Sequence, residues 1–161
     1  MNTGLLFYLA RRTLLCQKQL SRLIKYYELS LTDVKICAKE DSLRPAMSQL
    51  ISSLPIVFVL SDTPSSRPVC ARPIFKTLHV PMESNGEPKG VLRLSGIEKT
   101  GYLIESMNQA IVVLPDLPEE LAVMLPKACE RLKLKFGLDG ELPAEPDIDY
   151  KALIENSMNH N

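Results

Sequence analysis

Over the first stretch of the chain, Leu5, Leu6, Leu9, Thr13, Cys16, Leu20, Leu23, Ile24 and Tyr27 recur at intervals of three and four. That spacing is one face of a helix, and it predicts a long amphipathic helix from Leu5 to Tyr27 with its arginines and lysines outside. Further on, Val34, Ile36 and Ala38 alternate with Asp33, Lys35 and Cys37, the period-two pattern of a strand. Asp41 or Ser42 is placed to cap a following helix, whose first turn tolerates Pro45 and whose inner face is Met47, Leu50, Ile51 and Leu54. Ile56 to Leu60 is an unbroken apolar run, as expected of a strand covered on both faces by helices. The order helix, strand, helix, strand predicts an α/β sandwich.

Ser61 to Pro73, dense in Ser and Pro, reads as a loop leading to a short helical stretch around Ile74 to Leu78. Pro81 to Pro88, with Asn85 and Gly86, is a turn-rich surface connection. Val91 to Leu94, Tyr102 to Ile104 and Gln109 to Leu114 read as strands, the last two joined by a tight turn near Ser106 to Asn108. A helix is expected after Asp116, with Asp116 as N-cap, Glu119 completing a capping box and Pro118 in the first turn. Pro126 is expected to kink or split that helix before Gly137 ends it. Leu138 to Pro146 forms an acidic linker, and Tyr150, Leu153, Ile154 and Met158 offer a last short amphipathic helix. The division is a domain over 1–137 and a tail over 138–161.

At 161 residues the chain accommodates one domain with a real core, and 45% apolar and 24% charged residues are ordinary for a globular protein. Nineteen basic side chains balance nineteen acidic ones, so no global field draws nucleic acid or an anionic membrane, and neither is expected as a partner. The balance conceals a segregation. Met1 to Tyr27 carry Arg11, Arg12, Lys18, Arg22 and Lys25 with no acid, whereas Leu138 to Asn161 carry six acids against Lys151 alone. The tail is therefore expected to pack near the first helix. Cys16, Cys37, Cys70 and Cys129, like His79 and His160, lack the spacing of a zinc site, and free thiols in a cytoplasmic setting are expected. The acid-free start resembles a transit peptide only in part, being Ser-poor.

The chain carries no Gly-rich phosphate loop, no G-x-G-x-x-G, no H-E-x-x-H and no nucleophile elbow. Ligands of open α/β sheets gather beyond the carboxyl ends of strands. Two segments are so placed: Leu60-Ser61-Asp62-Thr63-Pro64-Ser65-Ser66-Arg67, and Val113-Leu114-Pro115-Asp116-Leu117-Pro118-Glu119-Glu120.

Gly101-Tyr102-Leu103-Ile104-Glu105, followed by Ala110-Ile111-Val112-Val113-Leu114-Pro115-Asp116-Leu117-Pro118-Glu119-Glu120-Leu121, resembles the G-F…V-x-x-L-P-G-x-P-x-E-M segment of the molybdopterin-binding domain of MoaB, Mog and CinA proteins. Upstream, Asn2-Thr3 resembles the N-T that opens the family's first helix, Ala38-Lys39-Glu40-Asp41 its V-x-D-D, and Ile56 to Ser61 its strand before T-G-G-x-G-P-T-x-D-D. The resemblance implies a three-layer α/β sandwich with a mostly parallel sheet, molybdopterin as cofactor or ligand, and a homo-oligomer. It also implies a missing strand, since the family begins with a strand bearing G-D-E-x-x-x-G. The empty slot is expected to be filled by another segment or by a partner chain.

Departures from the pattern bear on the site. Asp62-Thr63 stand where the paired glycines would let backbone approach a phosphate or pterin, the family's two aspartates fall near Val69 and Cys70, and Asp116 replaces the glycine of L-P-G-x-P. No catalytic residue and no metal ligand is assigned. The candidate ligand-binding residues are Asp62, Thr63, Ser65, Ser66, Arg67, Arg72, Pro115 and Asp116, in which arginine and hydroxyls could hold a phosphate or carboxylate. Two functional expectations follow: a catalytically degenerate binding or assembly module, or a surviving enzyme or binder of molybdopterin or a nucleotide that uses Arg67 and Arg72 in place of the glycine and aspartate loop. A third, an adaptor for membrane or nucleic acid built on the basic first helix, predicts binding that weakens with salt.

Overall fold

The computed structural model describes residues 1–62 and 71–143. Six strands, β1 (Asn2–Tyr8), β2 (Ser30–Cys37), β3 (Ile56–Ser61), β4 (Leu92–Ser95), β5 (Thr100–Glu105) and β6 (Ala110–Pro115), form one sheet in the order β2-β1-β3-β6-β5-β4. The first four strands of that order run parallel, and β5 runs antiparallel to its neighbours β6 and β4. Helices α1 (Thr13–Ile24) and α4 (Pro118–Phe136) cover one face, where Cys16, Leu20, Leu121 and Leu125 meet Leu5, Phe7, Phe58 and Val112. Helices α2 (Leu43–Ser53) and α3 (Ala71–Thr77) cover the other, where Met47, Leu50, Ile74 and Phe75 meet Leu6, Tyr8, Val57 and Val113. The result is the expected three-layer α/β sandwich with a mostly parallel sheet.

The amino terminus departs from expectation. Asn2 to Tyr8 is strand, and the helix begins only at Thr13. Leu5, Leu6, Phe7 and Tyr8 are all at most 1% exposed, because a central strand between two helical layers buries both of its faces. β1 pairs with Ser30 to Cys37 on one side and Ile56 to Ser61 on the other. The slot expected to be vacant is thus filled by the chain's own first strand, no partner chain is needed to complete it, and Asn2-Thr3 open a strand rather than a helix. Gly4 packs closely under α2, where a Cβ would lie 2.8 Å from Leu54 Cδ1 and would have to displace that side chain.

The start of α4 departs as well. Leu117 occupies the N-cap position with no side-chain cap, Pro118 lies in the first turn, and neither Asp116 nor Glu119 forms the expected capping box. The adjacent Glu120 does different work. Its carboxylate, on a residue only 3% exposed, accepts the N–H groups of Ile97 and Glu98 at 2.8 Å each and of Lys99 at 3.3 Å, fastening the β4–β5 connection to α4. Gly96 admits that carboxylate, for a Cβ there would fall 1.9 Å from Glu120 Oε2. Pro126 does not split the helix, which runs as one element to Gly137 in the left-handed conformation at φ 64°. At α2, Ser42 precedes the helix as expected, but its hydroxyl makes no cap bond.

The described beginning of the tail turns back on the end of α1. Leu138 packs on the core under α1 and α4, Glu141 lies 3.6 Å from Lys133, and a Cβ on Gly140 would fall 2.0 Å from the carbonyl oxygen of Tyr26. Tyr27 is buried as a packing residue with its hydroxyl donating to Glu130 at 3.1 Å. The linker beyond 143 and the short helix expected at Tyr150 to Met158 lie outside the described residues.

Glu120→Ala should lower stability by about 2–3 kcal/mol, since it strands N–H groups that a carboxylate satisfied, whereas Glu119→Ala should cost below about 0.5 kcal/mol; urea unfolding of both variants checks the contrast. A second expectation concerns alkali. Burial raises the thiols of Cys16 and Cys129 from 9.0 to about 11 and about 12. Groups so raised contribute fully below pH 9 and lose that contribution as pH climbs through those values. Urea midpoints should therefore hold to about pH 9 and fall above it.

Candidate functional site

The parallel strands β1, β3 and β6 end level with one another, Tyr8 beside Ser61 and Ser61 beside Pro115. Asp62 and Asp116 are the next residues of their strands, and the Asp116 N–H donates to the Ser61 carbonyl at 3.1 Å. Past Tyr8 the chain turns at Leu9, in the left-handed region at φ 50°, with its N–H bonded to the Cys37 carbonyl. Arg11 and Arg12 follow, just before α1. All of these lie at the carboxyl edge, where sheets of this kind bind ligands.

One residue joins both acids. Asp116 Oδ2 accepts the backbone N–H groups of Arg11 at 2.6 Å and Arg12 at 3.3 Å, while Arg11 Nε donates to Asp62 Oδ2 at 3.0 Å. Arg12 is the N-cap residue of α1. The N–H groups at a helix amino terminus favour an anion, and at α1 Asp116, only 2% exposed, supplies that anion from within the protein. Asp116 therefore serves the start of α1, not of α4. Gln19, which donates from Nε2 to the Pro118 carbonyl at 2.9 Å, ties the middle of α1 to the start of α4. The Arg11 guanidinium is 82% exposed, so its pair with Asp62 is worth about 0–1 kcal/mol. The backbone bonds to a buried carboxylate carry more.

Beneath this edge lies Cys16, whose thiol is pushed up to about 11 by burial first and by Asp116 second, so it is not a nucleophile at neutral pH. Ser61 Oγ is buried and has no hydrogen-bond partner among the described residues. Among the described residues no cluster of His, Cys, Asp and Glu is arranged to hold a metal ion, and no helix is long and apolar enough to cross a membrane.

No protein-family model and no curated protein matches the sequence. Solved structures do match. The chain is similar to CinA of unknown function from Thermoplasma acidophilum, with a TM-score of 0.62 and 11% identity over 81% of this chain and 96% of that one. It is similar to MogA, with a TM-score of 0.58 and 10% identity over 85% and 98% of the two chains. The molybdopterin biosynthesis enzyme MoaB from Thermus thermophilus matches with a TM-score of 0.58 and 14% identity over 87% and 99%. The chain has the MoaB, MogA and CinA fold.

Within that MoaB-like frame the candidate residues of the sequence divide. Asp62, Pro115 and Asp116 meet at the carboxyl edge. Arg72 lies on α3, exposed and beside Lys76 and His79 rather than against those acids. Thr63, Ser65, Ser66 and Arg67, together with Val69 and Cys70, lie outside the described residues. Arg11, Arg12 and Ser61 belong to the edge but are not singled out by the sequence pattern. Their one signal is position, a pair of arginines directly after an apolar run and a serine ending another.

Asp116→Ala should destabilise the protein by about 2 kcal/mol, and Arg11→Ala, which keeps the backbone N–H, by at most about 1 kcal/mol. Chemical denaturation of the two variants measures the difference; equal losses would assign the stabilisation to the guanidinium.

Proposed function

We propose that the chain is a molybdopterin-binding-like module that has lost catalysis and works in binding or assembly, a homo-oligomer being the assembly the resemblance implies. The observation carrying this reading is the shared use of Arg11. Asp116 is bonded to its backbone and Asp62 to its guanidinium, so the edge is filled by groups that satisfy one another. A phosphate or pterin phosphate entering there would meet two carboxylates, one of them already bonded to the N–H groups of Arg11 and Arg12 at the entry to α1. The described residues at this edge thus do not fit molybdopterin. An assembly role is supported by β2, which among the described residues is an edge strand of the sheet and carries the exposed apolar residues Val34 and Ile36.

A second reading, an enzyme or binder of molybdopterin or a nucleotide using Arg67 and Arg72, is favoured by the buried Ser61 Oγ directly before Asp62, which has no hydrogen-bond partner among the described residues. Differential scanning fluorimetry with a pterin and with ATP and magnesium separates the two. The first reading predicts no saturable stabilisation that depends on Arg67. A saturable shift abolished by Arg67→Ala would install the second in its place.

A further inference from the structure

Away from the carboxyl edge, α3 and the connection that follows it enclose an open groove of about 720 Å³, a volume suited to a small organic ligand. One wall is cationic. Arg72, Lys76 and His79 recur at four and three residues along α3 and its end, which places them on one side of the helix. Ile74 and Phe75 on the opposite side are buried, Phe75 in an edge-to-face contact with Tyr102 at 5.0 Å, which fixes the direction in which the cations face.

Both walls are built rather than loose. α3 closes with His79 in the left-handed conformation at φ 57°, its N–H bonded to the Lys76 carbonyl and that of Val80 to the Phe75 carbonyl, the two bonds of a Schellman end. The opposite wall is a small hairpin. Met82 bridges to Pro88, and the Glu83 N–H donates to the Glu87 carbonyl at 2.7 Å. The turn closes with the Gly86 N–H on the Glu83 carbonyl and the Glu87 N–H on Asn85 Oδ1. The Arg72 guanidinium comes within 3.7 Å of where a Gly86 side chain would begin, so it reaches across to this turn.

The cations of the groove are also unspent. Arg93 and Arg131 are paired with Glu87 and Glu105, and Lys127 and Lys135 donate to carbonyl oxygens. Among the described residues, Arg72 and Lys76 have no ion-pair partner. Two unpaired cations and an imidazole sharing one groove, with apolar surface from Val80 and Met82 beside them, have the composition of a site for a phosphorylated organic molecule. Glu83, which also lines the groove, repels a second anion and accepts an N–H donor.

We propose that this groove binds a small phosphorylated ligand, with Arg72, Lys76 and His79 holding the phosphate and Glu83 accepting an N–H donor from the other end, as a nucleoside monophosphate would present. The site rests on none of the residues that close the carboxyl edge, so the binding module proposed above would meet its ligand on α3 rather than at the strand ends.

Calorimetric titration of the full chain with AMP and with ribose 5-phosphate tests it. AMP should bind saturably and more tightly than ribose 5-phosphate, and Glu83→Ala should remove that difference. The double change Arg72→Ala with Lys76→Ala, on exposed positions, should weaken AMP binding at least about tenfold. His79→Gly keeps the left-handed turn and should weaken binding while leaving the melting temperature equal or higher. Lys18→Ala with Arg22→Ala, removing two cations from α1, should change binding less than about twofold. Absence of saturable binding at about 10 mM AMP, or an equal loss in the α1 control, would overturn the groove while leaving the closed carboxyl edge intact. Loss with Arg67→Ala but not with the α3 pair would overturn both.

Discussion

The structure depends on a strand that the rest of the chain must enclose. β1 lies between β2 and β3, hydrogen-bonded on both sides and buried on both faces, so its backbone groups have no alternative partners in water and its side chains belong to two cores at once. Leu5 and Phe7 enter the layer under α1 and α4, while Leu6 and Tyr8 enter the layer under α2 and α3. With both faces apolar, a central parallel strand holds its place by burial and by ladder bonds together. Everything at the carboxyl edge follows from where it ends, because Arg11 and Arg12 reach Asp116 only as the continuation of that strand.

That placement changes how the acids of the edge act. In isolation Asp62 and Asp116 would be two repelling charges at neighbouring strand ends. Arg11 answers both, its peptide N–H turned to one and its guanidinium to the other. The carboxylate at the start of α1 substitutes for the anion that a helix amino terminus attracts. The same economy recurs at Glu120, a side chain inside α4 that gathers three N–H groups of the β4–β5 connection. In both places an acid near a helix start satisfies backbone outside its own helix, so sequence proximity misassigns its partner.

The same physics separates what is legible in the sequence from what is not. β3 and β6 stand out as continuous apolar runs, α2 by its inner face, and the end of α4 by Gly137, because each is bounded by residues with one strong conformational preference. β1 is hidden. Leu5, Leu6 and Leu9 continue the three-and-four spacing of Cys16, Leu20 and Ile24, with neither glycine nor proline between them, so a buried strand and the helix after it read as one helix. That misreading produces a second one, an apparently absent strand. The site is half legible: the positions of Asp62, Pro115 and Asp116 at strand ends reveal them, but Arg11 and Arg12 read as solvated helix charges. A periodic pattern ranks side chains by face, and the decisive groups of these residues include backbone N–H. The cationic groove on α3 is similarly obscured, since only Arg72 stands out in the sequence and the turn that opposes it comes from a separate segment.

Whether the carboxyl edge is closed can be read from the exchange of two amide hydrogens. Native-state hydrogen exchange should show the Arg11 and Arg12 N–H groups protected far beyond an exposed loop, with that protection reduced in Asp116→Ala and unchanged by a pterin or ATP. Exchange of both at the rate of an unstructured peptide in the unmodified protein would contradict the account, for the edge would then be open to ligand.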